Sequence, residues 1–354
     1  MDKENRCYEF RYPGKDQKEI QAYSWNNTDY VRGAVQIFHG MSEHALRYRN
    51  FAWFLNQNGF AVFANDHRGH GKTAENKNEL GIIGKDGFNM IVEDEYCLFS
   101  IIKEKYPCKP VFVLGHSFGS FVAQEYIIRY GKEVSGVILS GSAMQKGPDI
   151  VMGMQIASLQ RKLFGEEKKG NLLGLLSFGT YNRRIHDARH RFSWLSTDEE
   201  EVVRYEQDPL CGATVSIGFY YYMLKAFKGL YSEKRIGDVP ADLPILIVSG
   251  EEDPVGAYGK RVKKLYKWYQ SHDLRNVQMK LYPGMRHEVL NERKRQEDYC
   301  DILTGLTGIP QVELFINGIK EGINAQVQKT NPTEFLSCGM QAEHRLRLLP
   351  QGQG

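Results

Sequence analysis

A serine stands between two glycines after a strongly apolar run, in the pattern Gly115-His116-Ser117-Phe118-Gly119. The run before it, residues 111–114, is typical of a buried strand, and residues 120–130 are typical of a helix. A serine on such a sharp strand-to-helix turn takes a strained backbone conformation, and the nearby glycines leave room for it. The N–H groups at the start of the helix favour negative charge beside the hydroxyl. We therefore interpret Ser117 as a nucleophile, although a glycine-rich turn with an ordinary serine has the same pattern.

A serine hydroxyl is a weak nucleophile, so it needs a base, and the base needs an acid that orients it. When the nucleophile lies on this kind of turn, the acid and then a histidine follow it along the chain. Asp253 follows the apolar run 243–248, and His287 follows the strand-like run 277–281. Each falls at the carboxyl end of its own predicted strand. We predict that His287 is the general base and that Asp253 orients it.

Other acids and histidines satisfy this order less well. Asp208 follows no predicted strand, and the pair Glu251-Glu252 is typical of a solvent-exposed turn. Asp253 itself has a second interpretation as a helix cap. Of the other histidines after Asp253, His272 precedes the last predicted strand, and His344 lies in a segment with little apolar periodicity.

A developing oxyanion needs two backbone N–H donors. The residue after the nucleophile, Phe118, supplies the first. The loop 39–44 follows the predicted strand 34–38, and Gly40 in this loop allows a turn that directs the Met41 N–H inward. We predict Phe118 and Met41 as the two donors, although residues 39 and 40 are also compatible with a plain strand-ending turn.

The predicted elements that carry these residues form a parallel sheet covered by helices. Residues 7–12 and 19–25 alternate like an antiparallel hairpin, and apolar strands then alternate with helical stretches. This alternation stops after residue 142, and strands return only near residue 243. The sequence therefore predicts an α/β fold with a mostly parallel sheet. Its predicted parts are a core at 1–142, a helical cap insertion at 143–238, a second part of the core at 239–310 and an irregular tail at 311–354.

Composition limits the classes of function. The 354 residues are 42% hydrophobic with a net charge of +3, which is ordinary for a soluble globular protein and indicates no nucleic-acid partner. The charged start and the lack of a long apolar run predict neither a secretory signal nor a membrane span, hence a cytoplasmic protein. The six cysteines include no Cys-x-x-Cys pair and are expected to be reduced.

Five short motifs occur in an order that resembles one known group of enzymes. They are His39-Gly40-Met41-Ser42-Glu43-His44, Asp66-His67-Arg68-Gly69-His70-Gly71-Lys72-Thr73, Gly115-His116-Ser117-Phe118-Gly119-Ser120, Asp253-Pro254-Val255 and His287-Glu288. Over residues 6–303 the chain is similar to the monoacylglycerol lipase and lysophospholipase group of α/β-hydrolases, whose domain is of the S33 serine aminopeptidase type. The resemblance implies an α/β-hydrolase core with a helical cap, a triad of Ser117, Asp253 and His287, and oxyanion donors at Met41 and Phe118. Thr73 stands where serine is commoner in this group, and the expected closing helix is interrupted by Gly305, Gly308 and Pro310.

The insertion gives the only indication of substrate. Its apolar segments predict a tunnel for an acyl chain and transient contact with a membrane or micelle, although packing of the cap explains each residue equally well. Four arginines lie in it at positions 183, 184, 189 and 191. They favour a phosphate head group only weakly, because a solvated basic face has the same composition. The predicted activity is serine hydrolysis of a lipid monoester, as a lysophospholipase or monoacylglycerol lipase, without a metal or cofactor.

Three alternatives remain open from the sequence. A proline-type aminopeptidase has the same triad and needs an acid for the substrate amino group, which residues 199–201, all glutamate, offer. A metal hydrolase using His39, His44, His67 and His70 has less support, because their spacing matches no known metal motif. The third alternative is a binding protein on a hydrolase scaffold, which the complete set of predicted catalytic residues disfavours.

Overall fold

The computed structural model describes residues 6–28, 30–186 and 188–307. Its eight strands form one sheet in the order β1-β2-β4-β3-β5-β6-β7-β8. β1 is antiparallel to β2 and β2 to β4, and every other pair is parallel. The strands are β1 (Tyr8–Pro13), β2 (Glu19–Trp25), β3 (Gly33–Phe38), β4 (Phe60–Asn65), β5 (Val111–His116), β6 (Gly136–Ser140), β7 (Ile245–Gly250) and β8 (Val277–Tyr282). The predicted hairpin and mostly parallel sheet are confirmed.

Helices follow most of the parallel strands, as the alternating pattern predicts. The α-helices are α1 (Arg49–Gln57), α2 (Gly87–Lys105), α3 (Phe118–Tyr130), α4 (Pro148–Phe164), α5 (Asn171–Phe178), α6 (Glu199–Gln207), α7 (Ile217–Leu230), α8 (Glu233–Ile236), α9 (Lys260–Gln270) and α10 (Arg295–Thr307). Short 3₁₀ turns lie at Ala45–Tyr48, Gly71–Thr73, Tyr181–Arg184 and Val289–Asn291. No helix in the described ranges is long and apolar enough to cross a bilayer.

The carboxyl ends of the central strands lie side by side. Phe38 of β3 pairs with Gly115 of β5, and His116 of β5 pairs with Ser140 of β6. Ser140 in turn pairs with Val248 of β7. Because parallel strands share one carboxyl edge, this register brings the loops after β3, β5 and β7 to the same edge of the sheet.

Helix α3 lies close to β3 because residue 119 has no side chain. A Cβ added at Gly119 would overlap the carbonyl oxygens of Phe38 and His39. Relief of that overlap requires α3 to move away from the sheet. We therefore expect Gly119→Ala to lower the free energy of unfolding by about 3 kcal/mol, measured by urea denaturation.

Gly153→Ala is the matched control for this substitution. Gly153 also lies inside a helix, α4, but its added Cβ would be 3.5 Å from the nearest atom, Leu224 Cδ1. Because alanine favours helix by about 1 kcal/mol over glycine, this variant should be as stable as the parent or slightly more so. Equal losses in the two variants would contradict the argument from close approach.

The segment between β6 and β7 carries α4 to α8, and its described residues contribute no strand to the sheet. Helix α7 packs on the helix that follows the nucleophile: the rings of Phe219 and Phe118 lie 4.7 Å apart, and those of Phe227 and Phe121 lie 4.6 Å apart. Helix α4 packs on α7 in turn. The helical character predicted for the insertion is confirmed, whereas its status as a separate cap stays a prediction.

Helices α4 and α5 bury few of their own side chains completely. Each has a single buried residue, Ala157 in α4 and Leu173 in α5. Eight large apolar side chains are exposed on them, which we call the apolar cap face. These are Val151, Met152, Leu159, Leu163, Phe164, Leu172, Leu175 and Leu176.

The prediction that Gly305 interrupts the last helix is wrong. Helix α10 runs through Gly305 from Arg295 to Thr307. An isolated glycine costs a helix about 1 kcal/mol relative to alanine, which does not end it. The chain divides into units at 1–295 and 296–354, and residues 296–307 are the described part of the second. Gly308, Pro310 and the predicted tail 311–354 lie outside the described residues.

Candidate active site

Ser117 lies on a strained turn between β5 and α3. Its φ is 51° and its ψ is −117°, a combination that non-glycine residues rarely adopt. The backbone holds it there: the Ser117 N–H donates to Ser140 O at 2.9 Å, and the Ser120 hydroxyl donates to Ser117 O at 2.6 Å. A Cβ at Gly115 would overlap the carbonyl oxygen of Gly119, so the tight turn requires glycine at residue 115.

His287 and Asp253 lie together, as the order along the chain predicts. His287 Nδ1 is 3.0 Å from Asp253 Oδ2, and the two side chains are buried. Asp253 is also fixed by its neighbours, because Oδ2 accepts from the Ser249 hydroxyl at 3.0 Å and Oδ1 accepts from the Val255 N–H at 2.8 Å. The carboxylate thus has a defined orientation in which it can hold one tautomer of the imidazole.

The electrostatic surroundings of His287 favour its charged form. Burial alone lowers the pKa of the imidazole, but the Asp253 carboxylate, with smaller contributions from Glu288 and Glu43, raises it above the ordinary value. A raised pKa suits a base that must accept a proton from a hydroxyl.

Aromatic rings enclose His287. The ring of His116 lies 4.9 Å from it and that of Trp194 lies 5.2 Å from it. Burial and, to a smaller extent, His287 lower the pKa of His116 to about 4, so the second imidazole is uncharged at neutral pH.

The two predicted oxyanion donors and Ser117 line one cavity. Phe118 is the first residue of α3, so its N–H has no partner within the helix. Met41 lines the same cavity as Ser117. A Cβ built on Gly40 would be 3.3 Å from Ser117 Cβ, which places the loop before Met41 directly against the serine.

Ser117 and His287 open into a cavity of about 940 Å³. Much of the remaining lining is apolar and comes from α4, α5 and α7. These apolar residues are Ile150, Met152, Ile156, Leu173, Leu175, Leu176, Phe178, Tyr220, Met223, Leu224 and Phe227. A space of this size and lining suits a long hydrocarbon chain better than a small polar ligand.

A segment of the insertion, residues 193–197, is bonded to the loop that carries His287. The Arg286 guanidinium donates to Ser193 O at 2.7 Å and to Ser196 O at 2.9 Å. The Glu288 N–H donates to Leu195 O at 2.7 Å. This segment therefore forms part of the wall around His287.

Comparison with known proteins decides the family. A profile of the serine aminopeptidase S33 family matches residues 29–294. The monoacylglycerol lipase of Mycolicibacterium smegmatis is 30% identical over 275 residues, which cover 77% of this chain and 87% of that protein. The chain belongs to the S33 serine aminopeptidase family.

Two further similar proteins agree with this assignment. The monoglyceride lipase of Rattus norvegicus is 26% identical over 269 residues, covering 76% of this chain and 79% of that protein. A solved structure of a thermostable carboxyl esterase from Bacillus coagulans has a TM-score of 0.79 and 32% identity, covering 86% of this chain and 98% of that one. The predicted resemblance to the monoacylglycerol lipase group of α/β-hydrolases is confirmed.

Most of the charged groups on which the alternative functions depend lie outside the cavity of this S33 hydrolase. Of the four arginines at 183, 184, 189 and 191, Arg191 alone is among the lining residues. Arg184 stacks on the Tyr258 ring at 4.1 Å, and Arg189 lies 3.6 Å from Glu199. None of the three glutamates at 199–201 lines the cavity. Neither the phosphate site nor the amino-group site thus gains support from this geometry.

Three of the four histidines of the metal alternative, His39, His67 and His70, have rings 4.0 to 6.2 Å apart, but most of their ring nitrogens already have protein partners. His39 and His67 bond each other, since the His67 N–H donates to His39 Nε2 at 2.9 Å, and His67 Nδ1 is 2.9 Å from Glu95 Oε1. Within the described ranges, donor atoms of His44, Asp208 and Cys211 do lie within 4.8 Å of one another. Two members of this group already pair with each other, since His44 Nε2 is 2.9 Å from Asp208 Oδ2.

Sequence reasoning missed several residues that shape the site. Trp194 comes from the insertion, and no motif or spacing in the sequence points to it. Arg47 and Glu43 lie within or next to the oxyanion-loop motif, and Glu288 lies next to His287, but no spacing rule connects residues 241 positions apart.

Proposed function

We propose that this chain hydrolyses carboxylic esters of lipids that carry one acyl chain, through an acyl-enzyme on Ser117. The proposal depends on one observation: Ser117, on a strained turn, shares a large and mostly apolar cavity with His287, which is paired with the buried Asp253. Its relatives named monoacylglycerol lipase and monoglyceride lipase support the same class of substrate.

In the first half of the reaction, Ser117 Oγ attacks the ester carbonyl carbon while His287 Nε2 takes the hydroxyl proton. The Met41 and Phe118 N–H groups bind the oxyanion, and Asp253 stabilises the imidazolium through Nδ1–H. As the tetrahedral intermediate collapses, the bond to the alcohol oxygen breaks. The alcohol leaves with the proton from His287.

In the second half, water attacks the acyl-enzyme carbonyl and gives its proton to His287. The second tetrahedral intermediate expels Ser117 Oγ, which recovers the proton. The products are one fatty acid and one alcohol. This chemistry needs only the side chains and backbone groups already named.

An uncharged head group suits the cavity best. The lining includes Arg191, but Arg261 on the same wall is already paired with Asp149 and with Gln145, whose Oε1 it reaches at 2.5 Å. A phosphate would thus find a single exposed arginine. This supports a monoacylglycerol over a lysophospholipid as the preferred substrate.

The apolar cap face supports transient contact with a membrane or micelle. Met152, Leu175 and Leu176 belong both to this face and to the lining of the cavity, so a lipid could pass from a bilayer to Ser117 without crossing water. Flotation with neutral phosphatidylcholine vesicles tests the contact. Absence of protein from the vesicle fraction would contradict it.

A substrate panel at equal acyl length tests the proposed function. We expect hydrolysis of a medium-chain monoacylglycerol at least about 10-fold faster in kcat/KM than that of a lysophosphatidylcholine, because the latter must bring a charged phosphocholine group into a mostly apolar cavity. Prolyl and leucyl amides should show no turnover. Faster hydrolysis of the amides than of any ester would overturn the proposal in favour of a peptidase.

A further inference from the structure

One buried guanidinium joins the two loops on which ester hydrolysis depends. Arg47 Nη1 lies 2.5 Å from Glu43 Oε2, and the same side chain forms a bidentate pair with Glu288 at 2.6 Å for each bond. The three side chains are 10%, 3% and 4% exposed. We call this group the Arg47 cluster.

Each glutamate of the Arg47 cluster holds a different part of the site. Glu43 Oε1 accepts from the Gly40 N–H at 2.5 Å and from the Tyr48 hydroxyl at 2.7 Å. Gly40 directly precedes the predicted oxyanion donor Met41. Glu288 directly follows His287, so its side chain anchors the loop of the base.

The insertion closes over the same guanidinium. The Tyr205 ring stacks on Arg47 at 4.7 Å, and the Tyr205 hydroxyl donates to Ser42 O at 2.9 Å. Arg47 therefore contacts all three parts that enclose Ser117: the oxyanion loop, the histidine loop and the insertion. A lysine would replace it only in part, because an ammonium group lacks the planar fork that serves two carboxylates and one ring together.

The charges of the cluster balance only while Arg47 is present. Burial alone would raise the pKa of Glu288, but Arg47 holds it below the ordinary value, so Glu288 is ionised in the folded protein. Without the guanidinium, two buried carboxylates would face each other, and one or both would turn away or take up a proton. Either change would move Gly40 or His287.

We propose that Arg47 is a positioning residue for ester hydrolysis, which sets the separation between the oxyanion donors and His287 by pairing with Glu43 and Glu288. This inference rests on the proposed function. Arg47 does not belong to the lining of the cavity, so it acts through these partners and not on the substrate.

The test compares Arg47→Ala and Arg47→Lys with Arg68→Ala. Arg68 is a matched control, since it is as buried as Arg47 and also pairs with two carboxylates, Asp94 at 2.5 Å and Asp16 at 2.6 Å. The readouts are kcat and KM for a medium-chain p-nitrophenyl ester at a temperature where each variant is folded by circular dichroism, and the melting temperature.

We expect Arg47→Ala to lose about 100-fold in kcat with little change in KM, the effect of a misplacement near 1 Å. Arg47→Lys should recover part of this loss, to about 10-fold below the parent. Arg68→Ala should lower the melting temperature without changing kcat more than about twofold. The acid limb of kcat/KM should move to higher pH in Arg47→Ala. The titratable groups that face His287 are Asp253, Glu288, Glu43 and His116. In Arg47→Ala the two glutamates would lose the positive charge that neutralises them, and this would raise the pKa of His287.

The outcomes separate this inference from the proposed function. Folded Arg47 variants with the parent's kcat, or an equal loss of kcat in Arg68→Ala, would overturn the positioning role while the esterase stands. A parent without ester turnover would overturn the proposed function and this inference together. If Arg47→Ala does not fold, Arg47→Lys decides between these results by the same comparison.

Discussion

Ser117→Ala is expected to lower kcat for ester hydrolysis on the order of 10⁶-fold, to the background left by the oxyanion donors and binding alone. The reason is that, in the proposed mechanism, Ser117 supplies the oxygen that becomes acylated. Ser120 points its hydroxyl to Ser117 O and Ser142, away from the cavity lining. Release of p-nitrophenol from a medium-chain ester measures the loss.

Two controls make this result specific to the nucleophile. Ser100→Ala, on the exposed side of α2, should hydrolyse the ester at the rate of the parent. A fluorophosphonate probe should label the parent and Ser100→Ala but leave Ser117→Ala unlabelled. Retention of more than about a hundredth of the parent rate by folded Ser117→Ala would exclude an acyl-enzyme on this residue.

Asp253→Asn is expected to lower kcat by about 10⁴-fold, because the amide oxygen keeps the bond from the Val255 N–H and the amide NH₂ then donates to His287 Nδ1, which stabilises the wrong tautomer. It should also move the acid limb of kcat/KM to lower pH. The carboxylate raises the pKa of His287, so its removal lowers that pKa, and the imidazole stays neutral in more acidic solution. Stopped-time assays across pH 4 to 8 record both effects.

The neighbouring acid Glu252 supplies the matched control. Glu252 is exposed, whereas Asp253 is buried against His287. Glu252→Gln should therefore keep the rate and the pH profile of the parent. A loss of rate in Glu252→Gln with no loss in Asp253→Asn would show that Asp253 is not the acid that orients His287. That result would contradict the proposed triad.

Much of the site could be anticipated because parallel strands impose geometry on sequence order. The apolar runs before Ser117, Asp253 and His287 predict strands, and parallel strands must end at one edge. Residues placed just after them therefore meet, however far apart they lie in the chain. The 3.0 Å separation of His287 Nδ1 and Asp253 Oδ2 follows the same logic.

Contacts between side chains that are far apart in the chain could not be predicted from the sequence, because no periodic pattern connects them. The pairing of Arg47 with Glu288 joins residues 241 positions apart, and each is an unremarkable charged residue in its own segment. Trp194 reaches His287 from an insertion whose helices have no sheet to set their register. The arginines at 183, 184 and 189 were grouped by sequence proximity, but their side chains lie outside the cavity lining because local turns direct them elsewhere.

Two parts of the insertion differ in how they contact the rest of the protein. Lifting residues 193–197 would break their hydrogen bonds with Arg286 and Glu288 and disturb the base itself. Helices α4 and α5 fully bury only Ala157 and Leu173 of their own side chains. Half-buried side chains, which are Ile150, Met154, Ile156 and Phe178, complete their packing against the core. One half of the insertion therefore shares hydrogen bonds with the loop of His287, and the other half presents its apolar side chains to the surroundings.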